Sequence, residues 1–196
     1  MANTFAPFGF SQNRGNGSAP TYEQRVRKIA SDNATAIFAG DPVTTLSTGY
    51  IAQSSPGTTQ IAGIFVGCKY LSTALQRTVW SPFWPGSGAT GDVEAYIVND
   101  PNAQFVAQVG GSSSTGIVFA DIGANVNFAV GTGSTVTGIS GAYVNQTTVN
   151  TTATLPFRIV GLIENPPGGP GTDSTSAYNW VLVAFNNVDT KSLTGI

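Results

Sequence analysis

Along this chain, short runs of apolar residues, some alternating with polar ones, are separated at close intervals by Gly, Pro, Asn, Asp and Ser. In the first half the pattern predicts strands over Ala36–Ala39, Val43–Leu46, Tyr50–Gln53, Ile61–Leu71, Arg77–Trp80, Val93–Asn99 and Gln104–Val109. In the second half it predicts Val118–Phe119, Val126–Val130, Thr135–Ile139, Tyr143–Val149, Phe157–Ile163 and Tyr178–Phe185. Glu94 between Val93 and Ala95 suits a strand with one wet face. Gly40-Asp41-Pro42, Ser54–Gly57 and Asn99–Asn102 read as turns, because Asp and Asn bond back to the chain and Pro presets φ. Asn165–Gly171, rich in Pro and Gly, reads as a surface loop. No interior segment shows a convincing helical period. The class expected is therefore all-β: an antiparallel β-sandwich, jelly roll or barrel, since a parallel sheet needs helical crossovers.

The first residues break the pattern. Phe5, Pro7, Phe8 and Phe10 stand among Ala and Gly, a polar glycine stretch follows, and Arg14, Arg25, Arg27 and Lys28 then face a lone Glu23. That gives the first twenty-eight residues a charge of +3, against −5 for the rest of the chain. Residues 1–33 are read as an extended arm and residues 34–196 as one β domain. The arm has too little apolar surface for its own core, so its phenylalanines are expected to bind a partner's groove or a neighbouring subunit. Its removal is expected to leave the body folded. For residues 21–30 two readings stay open: a helix, from Thr21 capping to Gln24 and Glu23 four before Arg27, or a hairpin turning at Ser31-Asp32-Asn33.

Of the 196 residues only 9% are charged, against about 25% in an ordinary domain. So few charges protect a lone monomer poorly, and a surface covered in an assembly is expected. No stretch approaches the roughly 20 apolar residues of a membrane helix, and the N-terminus lacks the features of a secretory signal. No membrane partner is expected. Eight basic residues on a chain with an acidic body argue against direct nucleic-acid binding.

Candidate chemistry is scarce. The chain has no histidine and one cysteine, which removes the Ser-His-Asp and Cys-His arrangements and the usual structural zinc sites. Cys68, in an apolar run, reads as a small buried hydrophobe. Asp92 and Glu94, two apart on one strand face, would make a glycosidase-like pair only if a cleft held them; a solvated strand face is the plainer reading. Asp41, Asp100 and Asp173 are each explained by a turn. No catalytic residue, metal ligand or cofactor is assigned. Trp80, Phe83 and Trp84, interrupted by Pro82 and Pro85, could stack on a sugar, fill a subunit interface or close one end of the core.

Several segments carry a family resemblance: Met1-Ala2-Asn3 with Phe8-Gly9-Phe10, Ile37–Val43, Gly63–Tyr70, Ser81–Pro85 and Ala95–Asn102. Over about residues 1–105 the chain resembles head decoration, or cement, proteins of tailed bacteriophages. The resemblance implies a protein made in the host bacterial cytoplasm that sits on the outer surface of the virion capsid. It would bind the major capsid protein and itself, as a homotrimer rather than a dimer, and stabilise the shell without catalysis. Phe5, Pro7, Phe8, Phe10, Arg14, Arg25, Arg27 and Lys28 would then form the capsid-binding arm, and Trp80, Phe83 and Trp84 a candidate subunit interface. The rival reading is a carbohydrate-binding or host-adhesion module that uses Trp80 and Trp84.

Overall fold

A computed structural model describes residues 3–13 and 24–192. The chain is all-β, with no α-helix among the described residues. Its strands, in chain order, are β1 (Ser11–Asn13), β2 (Gln24–Ile29), β3 (Ile37–Phe38), β4 (Pro42–Thr45), β5 (Ile51–Gln53), β6 (Gly63–Ser72) and β7 (Arg77–Ser81). They continue with β8 (Phe83–Trp84), β9 (Val93–Val98), β10 (Gln104–Gly110), β11 (Asn125–Ala129), β12 (Tyr143–Asn150), β13 (Phe157–Leu162) and β14 (Trp180–Phe185). Gln24–Ile29 is a strand rather than a helix, but the hairpin at Ser31-Asp32-Asn33 is corrected: β2 pairs antiparallel with the distant β9, and the next strand, β3, pairs with β8. The capping residues Thr21 and Glu23 lie outside the described residues.

Five strands close into a barrel in the order β10, β12, β11, β13, β14 and back to β10. The pairs are antiparallel except for β10 with β12, which runs parallel through Val109 and Gly110. At its other end β10 is flanked by β1, from Gln104 to Val106. β1 therefore continues the wall where β12 has not yet begun. Inside lie Phe10, Phe105, Phe128, Phe157, Val181, Val183 and their neighbours. The second sheet runs β2, β9, β6, β4, β5, with β7 also on β6 and with β3 and β8 paired beside it. It curls around Ile29, Ile37, Val43, Ile51, Phe65, Cys68, Trp84 and Ile97. Across its ends, Asp92 takes a hydrogen bond from the Tyr50 hydroxyl at 3.0 Å and an ion pair from Lys28 at 3.6 Å.

The described part of the expected arm belongs to this body. Phe10 is 2% exposed and stacks on Phe157 at 4.5 Å and 10°. Phe8 meets Trp180 edge-on, and Phe5 packs against Tyr143 and Tyr178. Gln108, itself buried, grips the segment from below: its Oε1 accepts the Ala6 N–H and its Nε2 donates to the Thr4 carbonyl, both at 2.8 Å. Asn3 donates to the carbonyls of Asp173 and Ala177. The independent arm is thus corrected for Phe5, Phe8 and Phe10. The barrel supplies the groove that these rings need, so burial is reached within the chain. Arg14 lies outside the described residues.

Two predicted strands are corrected as well. Val118–Phe119 leads instead into a 3₁₀ turn over Phe119–Asp121, held where Asp121 accepts the Val118 N–H at 2.9 Å. Thr135–Ile139 is a turn centred on Ser134, which accepts Gly138 N–H on its carbonyl and Thr137 N–H on its hydroxyl. In both places a local side-chain acceptor competes with the sheet ladder.

The barrel and the second sheet meet at Asp41, whose buried side chain makes a local turn bond and also reaches well beyond its own turn. Its Oδ2 accepts the Phe38 N–H at 2.8 Å and the Gln53 amide at 2.7 Å, and its Oδ1 accepts the Ser140 hydroxyl. Around it, Phe10 N–H donates to Gly40, Gly40 N–H to Phe65, Phe65 N–H to Asp41 and Ser140 N–H to Ala39. Gly40 adopts φ +96°, and a Cβ there would stand 3.0 Å from the Phe10 nitrogen. Only glycine permits both that backbone and that approach. Asp100 and Asp173, by contrast, take the expected turn bonds from Asn102 and Thr175.

Candidate interaction surface

Alternation along β9 and β6 sends Ala95, Ile97 and Cys68 inward and leaves Glu94, Tyr96 and Lys69 on the outer face. Strand register then sets Lys28, Glu94, Lys69 and Trp80 in one row across β2, β9, β6 and β7. The next row holds Val26, Tyr96 and Gly67. Trp80 folds flat over this second row, stacked on Tyr96 at 4.9 Å and 15°. A Cβ on Gly67 would stand 2.9 Å from the indole, so the missing side chain makes the seat. The result is an exposed apolar patch, with Trp80 62% and Val26 56% exposed; Leu71 stands on the far side of the Lys69–Glu94 row. Lys69 and Glu94, paired at 3.0 Å, border it. Each moves the other toward its charged form: Lys69 holds Glu94 below the usual carboxylate range, and Glu94 holds Lys69 above the usual ammonium value.

The three aromatics expected to act together are separated by the sheet. Trp84 is fully buried, with its indole N–H donated to the Asn33 carbonyl at 3.0 Å, so it is core and is corrected as an interface or sugar-stacking residue. Phe83 stacks on Phe38 at 5.3 Å. Trp80 alone of the three faces outward. The basic cluster is partly consumed as well: Arg27 reaches Asp189 at 3.4 Å, and Lys28 reaches Asp92. Arg25 lies exposed on β2.

A second apolar patch lies on the barrel and was not anticipated. Phe119 is 78% exposed in the 3₁₀ turn, beside Val118 and Ile122, and Val160 of the adjoining β13 is also exposed. Gly123 N–H donates to Ile159 and Ile159 N–H to Ala124, which holds this turn against β13. Val136 is 93% exposed at the tip of the 135–137 turn. The signal for Phe119 was Asp121 two residues on, a short-range cap that a strand reading of Val118–Phe119 passes over.

The arrangement offers little to acid–base chemistry. The cleft of about 420 Å³ between barrel and sheet is lined by residues such as Phe8, Phe10, Gln24, Ile64 and Phe105, with no ionisable side chain among the described residues that line it. Another of about 430 Å³, between Asn3, Gln108, Trp180 and the 168–171 loop, is likewise uncharged. Asp92 and Glu94 are each bound to a lysine. No group of three or more His, Cys, Asp or Glu suited to a metal occurs among the described residues, and none of their helices is long and apolar enough to cross a membrane.

Cys68 is buried, and burial pushes its thiol up to about 12. At about pH 8 such a thiol is ionised in roughly one molecule in ten thousand, and the thiolate is the nucleophile. Iodoacetamide is therefore expected to leave the folded protein unlabelled over a time that labels the urea-unfolded chain fully. Fast labelling of the folded chain would contradict the burial. Comparison with models of protein families, with curated proteins and with solved structures found no match.

Proposed function

We propose that this chain is a non-enzymatic structural protein of a tailed-phage virion that decorates the outside of the head and holds neighbouring major capsid protein subunits together. The observation that carries this reading is the exposure of large apolar side chains on separate parts of one β body. Trp80 and Val26 stand on the second sheet, Phe119 and Val118 on the barrel, and Val136 on a turn tip. A protein whose work is to meet other proteins on more than one side has use for such surfaces. The sequence resemblance to head decoration proteins over residues 1–105 supports the same reading, as does the pairing of the exposed carboxylates Asp92 and Glu94 with lysines. Many copies on one shell would turn modest single contacts into lasting attachment.

The test is sedimentation of the purified chain with undecorated phage heads. Saturable co-sedimentation is expected, together with heads that resist heat better once covered. No co-sedimentation with heads that bind their own decoration protein would overturn the reading.

A further inference from the structure

The fold fixes Trp80 before any partner arrives. One face of the indole lies on Tyr96 at 15° and its edge rests where Gly67 has no side chain, yet the residue is largely exposed, so the opposite face is open to water. The apolar ground around it is small. Val26 adjoins Tyr96 on β2, but the Lys69–Glu94 row runs between these side chains and Leu71. What remains is one indole and one valine, far below the roughly 800 Å² that each partner gives to a standard protein interface. The charges beside the ring are already matched: Lys69 pairs with Glu94 at 3.0 Å, and Lys28 is held by Asp92. A protein laid over the ring would strip water from the Lys69–Glu94 pair, a cost that the attraction within the pair need not repay. A nucleobase would want the lysines free for its phosphate. An ammonium has three donors and a carboxylate about four acceptor positions, so their single contact leaves both groups able to bond further.

We infer that Trp80, with Lys69 and Glu94, is a binding site for a neutral glucopyranose unit of a glycan. A β-glucopyranose ring carries its substituents equatorially, so its faces present axial C–H groups, whose positive hydrogens suit the electron-rich face of an indole. Its hydroxyls project around the rim. Lys69, directly across the strand pair from Trp80, can donate to them and Glu94 can accept while their own pairing stays intact. A sugar covers the ring and leaves most of the ion pair wet. Because the indole is seated in advance on Tyr96 and Gly67, little side-chain freedom is lost on binding. The inference goes beyond the decoration reading: it takes Trp80 out of the shell contact and leaves Phe119, Val118 and Val136 to it.

Cellohexaose, a chain of β-linked glucose units, is the probe. The protein has three tryptophans, and their indole N–H signals are followed by nuclear magnetic resonance, with Trp80 assigned as the signal missing from Trp80→Tyr. Titration should move the Trp80 signal alone and saturate with a dissociation constant on the order of 1 mM, the strength of one stacked ring and a few hydrogen bonds. For the variants, binding is read from the proton signals of the sugar. Trp80→Ala should abolish it, Trp80→Tyr should keep it in weakened form, and Glu94→Ala should weaken it about tenfold by removing a charged acceptor. Retention in Trp80→Tyr separates a lost platform from a disturbed sheet. No movement up to about 20 mM, binding that survives Trp80→Ala, or movement centred on Trp84 or Trp180 would overturn the inference. So would loss of head binding in Trp80→Ala, which would put a shell subunit on this face. Sugar binding by a chain that heads do not take up would sink the decoration reading alone.

Discussion

Phe10→Ala is expected to cost about 3–5 kcal/mol, the range for removing a buried phenylalanine side chain. The ring is part of the barrel core, stacked on Phe157, which itself meets Phe128 and Phe185. Against a total stability of about 5–15 kcal/mol, the variant should sit near the edge of folding. The effect reaches further than the cavity. The backbone bond from residue 10 to Gly40 survives the substitution, but the strand beside β10 loses the ring that anchors it in the barrel core. Deleting residues 1–13 should be worse, since it removes Phe10 together with the Phe5 and Phe8 ring contacts and the bonds that Ala6 and Thr4 make to Gln108. Urea denaturation of Phe10→Ala beside Phe5→Ala, whose ring is half-exposed, is the measurement. A Phe10→Ala protein within about 1 kcal/mol of the unaltered chain would show that the N-terminal segment is not part of the core.

Asp41→Ala is expected to cost about 3–4 kcal/mol, because the Phe38 N–H and the Gln53 amide would lose a shared, buried acceptor. Asp41→Asn should be milder, since its carbonyl can accept from both while its amide turns to the Ser140 hydroxyl. The two also differ from the unaltered chain in their response to pH. Burial raises the Asp41 carboxyl above its ordinary 3.8, and outweighs the hydrogen bonds from Phe38, Ser140 and Gln53 that lower it. A raised value in the folded state means that the group's stabilisation is complete below the unfolded value. It is then lost as pH rises through the folded one. The stability gap between the unaltered chain and Asp41→Asn should therefore be widest in acid and narrow toward neutral pH. Urea midpoints taken across that range check this, and a gap that widens toward neutral pH would mean that the hydrogen bonds prevail over burial.

Many of the strands were legible because their pattern is written locally. In β9 the alternation of Val93, Glu94, Ala95 and Tyr96 matches the pleat residue by residue. Asn99–Asn102 ends that strand with a turn whose bonds span two or three residues. Local reading fails where a short-range acceptor outcompetes the ladder, as at Asp121 and Ser134, since apolar content alone does not separate a β run from a capped turn. The candidate surface was only partly legible. Trp80 was singled out, but its neighbours Trp84 and Phe83 share its composition, and which of the three would face outward depended on register.

The sequence by itself determined an all-β chain, most of its strands, the lack of histidine chemistry and the apolar setting of Cys68, because periodicity, turn chemistry and residue type act within a few positions. The tertiary structure decided the rest. Phe10 enters the barrel because closure leaves a gap beside β10, Asp41 is buried because distant segments at Gln53, Phe65 and Ser140 converge on it, and Trp80 lies open because Gly67 and Tyr96 seat it across two strands. These outcomes depend on contacts between residues far apart in the chain, and no local pattern encodes where two sheets will meet.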